Sequence, residues 1–204
     1  LQLELSNEVE KLRAAIFIDG GYLRKLTQVD QGIDYARLAS YLMAPLAHGA
    51  GIDLLRCYYY FCAPWMSTTP TDEEQARMAA FNRFADEISS LSRWQLRLGK
   101  LERRNDKGKE FFEQKRVDVL LSIDLVRHTA AGHIQHAVIF AGDSDFIPAI
   151  QVAKESGCTV TLWCADDHSA HRDLLRTVDE YHYINLSEVA RKRPSVAPPN
   201  SVGN

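Results

Sequence analysis

Residues 137–162, AVIFAGDSDFIPAIQVAKESGCTVTL, restrict the folds open to this chain more than any other stretch. Residues 137–141 form an uninterrupted apolar run of strand length that stops at Gly142, the pattern of a strand buried on both faces. An amphipathic helix is expected over about 146–155, with Gly157 as its left-handed cap, and residues 158–163 read as a second apolar strand. Strand, turn, helix and strand in that order make a βαβ unit, which calls for a parallel sheet. Gly142-Asp143-Ser144-Asp145 separate the first strand from the helix. Two carboxylates therefore stand at the carboxyl end of a buried strand, where open α/β sheets place their sites. Asp is a good N-cap, and one acid suffices for that. A second acid beside it is repelled unless a cation or a proton offsets the charge. At this point a helix cap and a metal site both remain open.

Further strands are expected at 14–18, 52–62 and 94–101, with a last short one at 181–186. Helices are expected at 35–48 with Asp34 as cap, at 72–91 with Thr71 and Glu74 forming a capping box, and at 115–129. A further helix is expected to open at Asp166-Asp167-His168 and run toward Arg176, where His168 and His171 are assigned to capping and the surface. The aromatic cluster Tyr58-Tyr59-Tyr60-Phe61 is read as core and sheet face rather than as a base-stacking platform. Right-handed crossovers favour a three-layer α/β/α sandwich with a central, mostly parallel sheet. Residues 94–112 add a small charged β-hairpin insertion with a turn at 105–108. The expected organisation is an N-terminal arm at 1–13, one domain at 14–186, and a disordered Pro- and Ser-rich tail or linker at 187–204.

The net charge of −3 excludes a globally basic nucleic-acid binder, so any such contact needs a local patch. One exists: residues 93–116 carry nine basic and four acidic side chains. Arg97, Lys100, Arg103, Lys115 and Arg116 within it are candidate contacts to a phosphate backbone, although a solvated edge ribbon explains the same pattern. There is no membrane-span-length apolar run and no secretory segment, and the four cysteines form no CxxC pair. Buried reduced thiols in a cytoplasmic protein are expected.

Three acidic positions recur at element ends. Asp19 follows the strand at 14–18 and precedes two glycines that permit a sharp turn and a close approach to a ligand. Asp118 lies in the first turns of the helix expected at 115–129, with Lys115 on the same face. Asp124 is six positions on, about 240° around the axis, and is assigned a surface or structural role. Asp143 and Asp145 complete the set. Four carboxylates brought to one sheet edge need divalent cations, and hard oxygen ligands suit Mg²⁺ or Mn²⁺. Such a site can activate water and stabilise the leaving oxygen in phosphodiester cleavage. No Ser or Cys nucleophile motif is present, and no Gly-rich phosphate loop ending in Lys-Ser/Thr.

Residues 16–23 (IFIDGGYL), 115–119 (KRVDV) and 140–146 (FAGDSDF) resemble, in this order and spacing, the three signature segments of the NYN domain, a PIN-like group of metal-dependent nucleases. The LabA-like bacterial branch is the most similar. The resemblance spans about 14–186 and implies a PIN-like fold with a Mg²⁺- or Mn²⁺-dependent ribonuclease activity on RNA. Asp19, Asp118 and Asp143 match the family's acidic site positions, and Asp145 matches the second acid of its GDSD segment. Tyr22 stands where many members carry Asn. Beside these acids, Ser144 is assigned to bonding a phosphate or orienting an acid. A non-catalytic RNA-binding module and a metal-dependent phosphatase or nucleotidase are the alternatives. The sequence is also compatible with a homo-oligomer.

Overall fold

A computed structural model describes residues 12–27, 32–48, 51–106, 109–165 and 170–191, with 101–115 described in backbone alone. The described residues form seven strands: β1 Arg13–Asp19, β2 Asp53–Cys62, β3 Trp94–Asp106, β4 Lys109–Lys115, β5 His136–Phe140, β6 Thr159–Cys164 and β7 Glu180–Tyr183. The helices are α1 Gly20–Leu26, α2 Tyr35–Met43, α3 Asp72–Ser90, α4 Val117–Ala130, α5 Ile147–Glu155, α6 Arg172–Thr177 and α7 Leu186–Val189. The strands form one sheet in the order β4-β3-β2-β1-β5-β6-β7, parallel throughout except for β4. The chain moves outward from β1 through β2 and β3, then returns to place β5 on the other side of β1. The strand order thus reverses between β1 and β5, the point where open α/β sheets bind ligands.

Alternation along β1 and β2 sends side chains to both faces. Phe17, Tyr58 and Tyr60 join Leu121, Leu125 and Ile150 under α4 and α5, while Ile16, Ile18, Tyr59 and Phe61 join Leu23, Leu38 and Ile88 under α1, α2 and α3. All five residues of β5 are buried, as their apolar run predicts. Each fully buried large side chain, Phe17 or Ile18 for instance, contributes about 1.5–3 kcal/mol by leaving water. The three-layer sandwich expected from the sequence is the fold observed. Among the described residues no helix is long and apolar enough to cross a membrane.

Helix α3 has the expected box: the Thr71 hydroxyl accepts from the Glu74 N–H at 3.2 Å, and the Glu74 carboxylate accepts from the Thr71 N–H at 3.0 Å. Gly157, at φ +81°, ends α5 as a left-handed residue.

Several boundaries differ from the sequence reading. Gly20 and Gly21 do not form a loop but open α1 directly. A Cβ on Gly20 would lie 2.2 Å from the Tyr59 ring and 2.7 Å from the Tyr60 carbonyl, so this glycine admits the neighbouring strand rather than a ligand. Lys115 belongs to β4 and not to a helix, because Arg116 adopts a left-handed conformation (φ 74°) that breaks the chain between strand and helix. Residues 187–191 are no tail: Val189 is buried, Ala190 bridges Ile33, and Arg191 pairs with Glu87. The expected helix start at 166–168 and the tail beyond 191 lie outside the described residues.

The hairpin has a specific placement. Residues 94–99 of β3 pair with β2 up to Cys62↔Gly99, where β2 ends. From Lys100 onward β3 pairs only with β4, from Lys100↔Lys115 to Asp106↔Lys109. The ribbon therefore projects beyond the carboxyl edge of the sheet, the edge at which Asp19 and Asp143 lie. Residues 107 and 108 of its turn are outside the described residues.

Candidate acidic site at the sheet edge

β1 and β5 run side by side to the same edge, with Ile18 opposite Phe140. Asp19 ends β1, and its Oδ1 accepts from the Gly21 N–H at 2.9 Å and the Tyr22 N–H at 3.1 Å, capping α1. Asp143 follows β5 after Ala141 and Gly142. Its Oδ1 accepts from the Asp145 N–H at 3.0 Å, capping the short 3-10 turn Ser144–Phe146 that leads into α5. The capping role holds for both acids, yet it occupies only one oxygen of each.

Both acids wall a cavity of about 570 Å³, together with Ser144, Tyr22, Lys25 and His171. Tyr22 ties the two strand ends to each other. Its ring lies against Gly142, where a Cβ would come within 2.4 Å of Cε2, and its hydroxyl accepts from the Ala165 N–H at 3.0 Å. The residue that replaces the more usual Asn thus has a polar partner of its own. His171 is held to the same edge by its N–H, which donates to the Gly142 carbonyl at 3.3 Å, and its Nδ1 accepts from the Asp173 N–H.

The acids sense one another. Burial pushes the Asp19 carboxyl above the usual carboxylate range. The Tyr22 N–H opposes this, the Asp118 charge adds to it, and the Gly21 N–H and Lys25 pull the other way. Asp118 lies in the first turn of α4 at this edge. Its carboxyl is also raised, first by desolvation, then by the charges of Asp143 and Asp145, with Lys25 opposing. The four aspartates therefore share one electrostatic environment at the reversal point. Its excess of negative charge is offset by a single lysine among the cavity's described lining residues.

The donor set is carboxylate oxygen, as Mg²⁺ or Mn²⁺ prefers. Among the described residues, no three His, Cys, Asp or Glu side chains stand close enough to enclose an ion by themselves.

The basic candidates divide. Arg97 turns to Asp124, with Nε 3.0 Å from Oδ2 and Nη2 donating to Oδ1 at 3.2 Å. Its buried Nε has no aligned hydrogen bond despite that short distance, so the pair is ionic in character. Asp124 is buried and also accepts from Tyr60 and Arg127, which makes its role structural. Arg116 is exposed beside Asp118 in sequence, and Lys100 is exposed at the base of the ribbon. Arg103 and Lys115 lie on the ribbon's paired strands.

Lys25 and His171 escaped the sequence reading as site residues. Lys25 follows Tyr22 by three on one face of α1, a spacing that carries it to the Asp19 side. Nothing in the sequence around His171 marks it.

A sequence model described as "NYN domain" matches residues 13–186. No curated protein matches the chain. Among solved structures, a protein of unknown function from Vibrio parahaemolyticus is similar at a TM-score of 0.55 and 16% identity, over 94% of this chain and 100% of that one. That likeness concerns the fold alone. A Plasmodium falciparum nicotinic acid mononucleotide adenylyltransferase reaches a TM-score of 0.31 at 13% identity, over 85% of this chain and 74% of that one, too distant to support any argument.

Proposed function

The chain belongs to the NYN domain family, and from that membership and its acid-walled cavity we propose a divalent-metal-dependent endoribonuclease that hydrolyses RNA phosphodiester bonds. NYN domains are generally nuclease-like. The observation that carries the finer reading is the convergence of Asp19 and Asp143 on one cavity, with Asp118 close enough to raise the Asp19 carboxyl.

In this reading Asp19 and Asp143 are the principal ligands of Mg²⁺ or Mn²⁺. Their Oδ1 atoms are fixed by backbone N–H groups, so the second oxygen of each is oriented before substrate arrives. Asp118 and Asp145 would add negative charge that favours the cation. The bound metal would lower the pKa of water and neutralise charge on the scissile phosphate. Lys25 offsets the phosphate's charge from the α1 wall, and Ser144 supplies a hydroxyl at the cavity rim. Arg116, Lys100 and the ribbon's Arg103 and Lys115 guide the strand toward the edge from which the ribbon projects.

The test incubates labelled RNA and mononucleotides with EDTA, Mg²⁺ or Mn²⁺. Metal-dependent RNA fragments that vanish in Asp19→Asn and Asp143→Asn are expected. RNA bound without any metal-dependent product sinks the nuclease reading in favour of a binding module, and turnover of mononucleotides alone favours a phosphatase.

A further inference from the structure

Helix α1 has a second flank. Tyr22 and Lys25 face the acidic cavity, whereas Leu23, Arg24 and Thr27 wall another cavity of about 410 Å³. Its other walls are rings: Tyr35 before α2, Tyr59 and Phe61 at the end of β2, and Phe81 and Phe84 on α3. The rings pack on one another, with Tyr59 edge-on to Phe84 at 5.2 Å, Tyr35 edge-on to Tyr59 at 5.7 Å and Phe61 stacked on Phe81 at 6.4 Å. Two guanidiniums complete the lining. Arg24 lies over the Phe61 ring at 5.3 Å, and Arg77 is exposed on α3. Neither forms an ion pair with any described residue, and none of the described lining residues is acidic. In a chain of net charge −3, that lining is set apart from its surroundings.

A cavity of this size is large enough for a small planar group. Aromatic walls accept the faces of bases, and the arginines beside them accept the attached phosphate. We propose that this cavity is a binding subsite for a nucleobase and its phosphate, belonging to the RNA strand whose scissile bond lies on the other flank of α1. The subsite rests on the ribonuclease reading for its substrate, but not on metal or turnover. A helix is roughly 10 Å across, so a single strand passing over α1 reaches both cavities within a few nucleotides. The strand then presents a splayed base to one side of the helix and a backbone phosphate to the other, the way single-stranded RNA is commonly read.

Affinity of the full chain for a labelled single-stranded RNA, measured in EDTA at several salt concentrations, tests this without cleavage. The Arg24→Ala/Arg77→Ala protein, changed only at exposed side chains, should bind about tenfold more weakly and lose about 1.4 units of salt slope. An RNA carrying one photoreactive uridine should crosslink in the wild type to residues 59–64 or 77–84, and AMP at millimolar concentration should compete. Phe81→Ala should weaken binding while circular dichroism stays native-like at the assay temperature, although loss of its packing on Phe61 and Phe84 lowers the melting temperature. Unchanged affinity and salt slope in the double variant, or crosslinks confined to the acidic flank, would overturn the subsite even if the RNA is cut. Loss of binding in the double variant of a protein that never cleaves RNA would leave the subsite standing and remove the nuclease reading.

Discussion

The contact between Gly142 and Tyr22 lends itself to a quantitative test. In Gly142→Ala the new Cβ would meet Tyr22 Cε2 at 2.4 Å and Cδ2 and Cζ at 3.0 Å. Carbon pairs rest at about 3.5–4.0 Å, so the ring must retreat by roughly 1 Å. Retreat pulls the hydroxyl from the Ala165 N–H, now 3.0 Å away, and tilts the ring off Phe140, 5.5 Å between centroids. Overpacking costs about 1–3 kcal/mol and an unsatisfied N–H a further ~1 kcal/mol, so a loss of about 3 kcal/mol is expected. Tyr22→Ala removes the obstacle. In that background Gly142→Ala should be neutral, or stabilising by up to ~1 kcal/mol through reduced unfolded-state entropy. Urea unfolding of the four proteins closes a double-mutant cycle, with an expected coupling of about 3–4 kcal/mol. Equal cost of Gly142→Ala in both backgrounds would refute the claim that this ring joins the two strand ends.

Raised carboxyls at Asp19 and Asp118 hold protons more tightly in the fold than in the unfolded chain. Their contribution to stability is therefore complete below the ordinary Asp value and is lost as pH rises through the raised folded values. Thermal melts across pH 3–7 should show Asp118→Asn flattening that slope, with neutral-pH stability at or above wild type. Millimolar Mg²⁺ or Mn²⁺ should raise the melting temperature of the wild type and leave the Asp19→Asn/Asp143→Asn protein unmoved, in melts that need no RNA. Asp124→Ala should cost about 3 kcal/mol in urea unfolding, because Arg97 and the Tyr60 hydroxyl lose their buried acceptor. Burial pushes the Cys57 and Cys158 thiols up to about 12, and all four cysteines are buried outside any disulfide. A thiol reagent at pH 8 should react only on unfolding.

The sheet was legible because its central strands carry apolar runs, and residues 14–18 and 137–141 can only be buried on both faces. Asp19 and Asp143 were legible for the same reason, since each stands at the end of such a run. The helical spacing that separated Asp118 from Asp124 also held: one lies at the acidic edge and the other is buried under β3. The burial of Asp124 was not legible, because its partner Arg97 is 27 residues away on a strand whose neighbours only the sheet order reveals. Arg116 was hidden because Lys-Arg-Val-Asp reads as helix at every position, and only the β4 pairing forces a left-handed break before Val117. Lys25 and His171 are polar residues in polar surroundings. Their place in the cavity comes from the direction in which α1 and α6 leave the sheet, which no local pattern encodes.

The acid count at this edge follows from topology. Two adjacent parallel strands whose chains leave in opposite directions each need a cap for the turn that follows, and Asp supplies both. The crossover from β3 back to β5 must begin at the same edge, so it places the first turn of α4, with Asp118, beside them. Asn caps a helix about as well as Asp and brings no charge. Folding alone would therefore be served better by Asn at Asp19 and by any neutral residue at Asp118, where the charge works against the native state. In the ribonuclease reading proposed above, carboxylates that oppose folding where a neutral side chain would do the structural task are accounted for by what they attract. At the reversal point of a parallel sheet, beside a lysine, that reading supplies the species with the complementary charges, a cation and the phosphate that it brings.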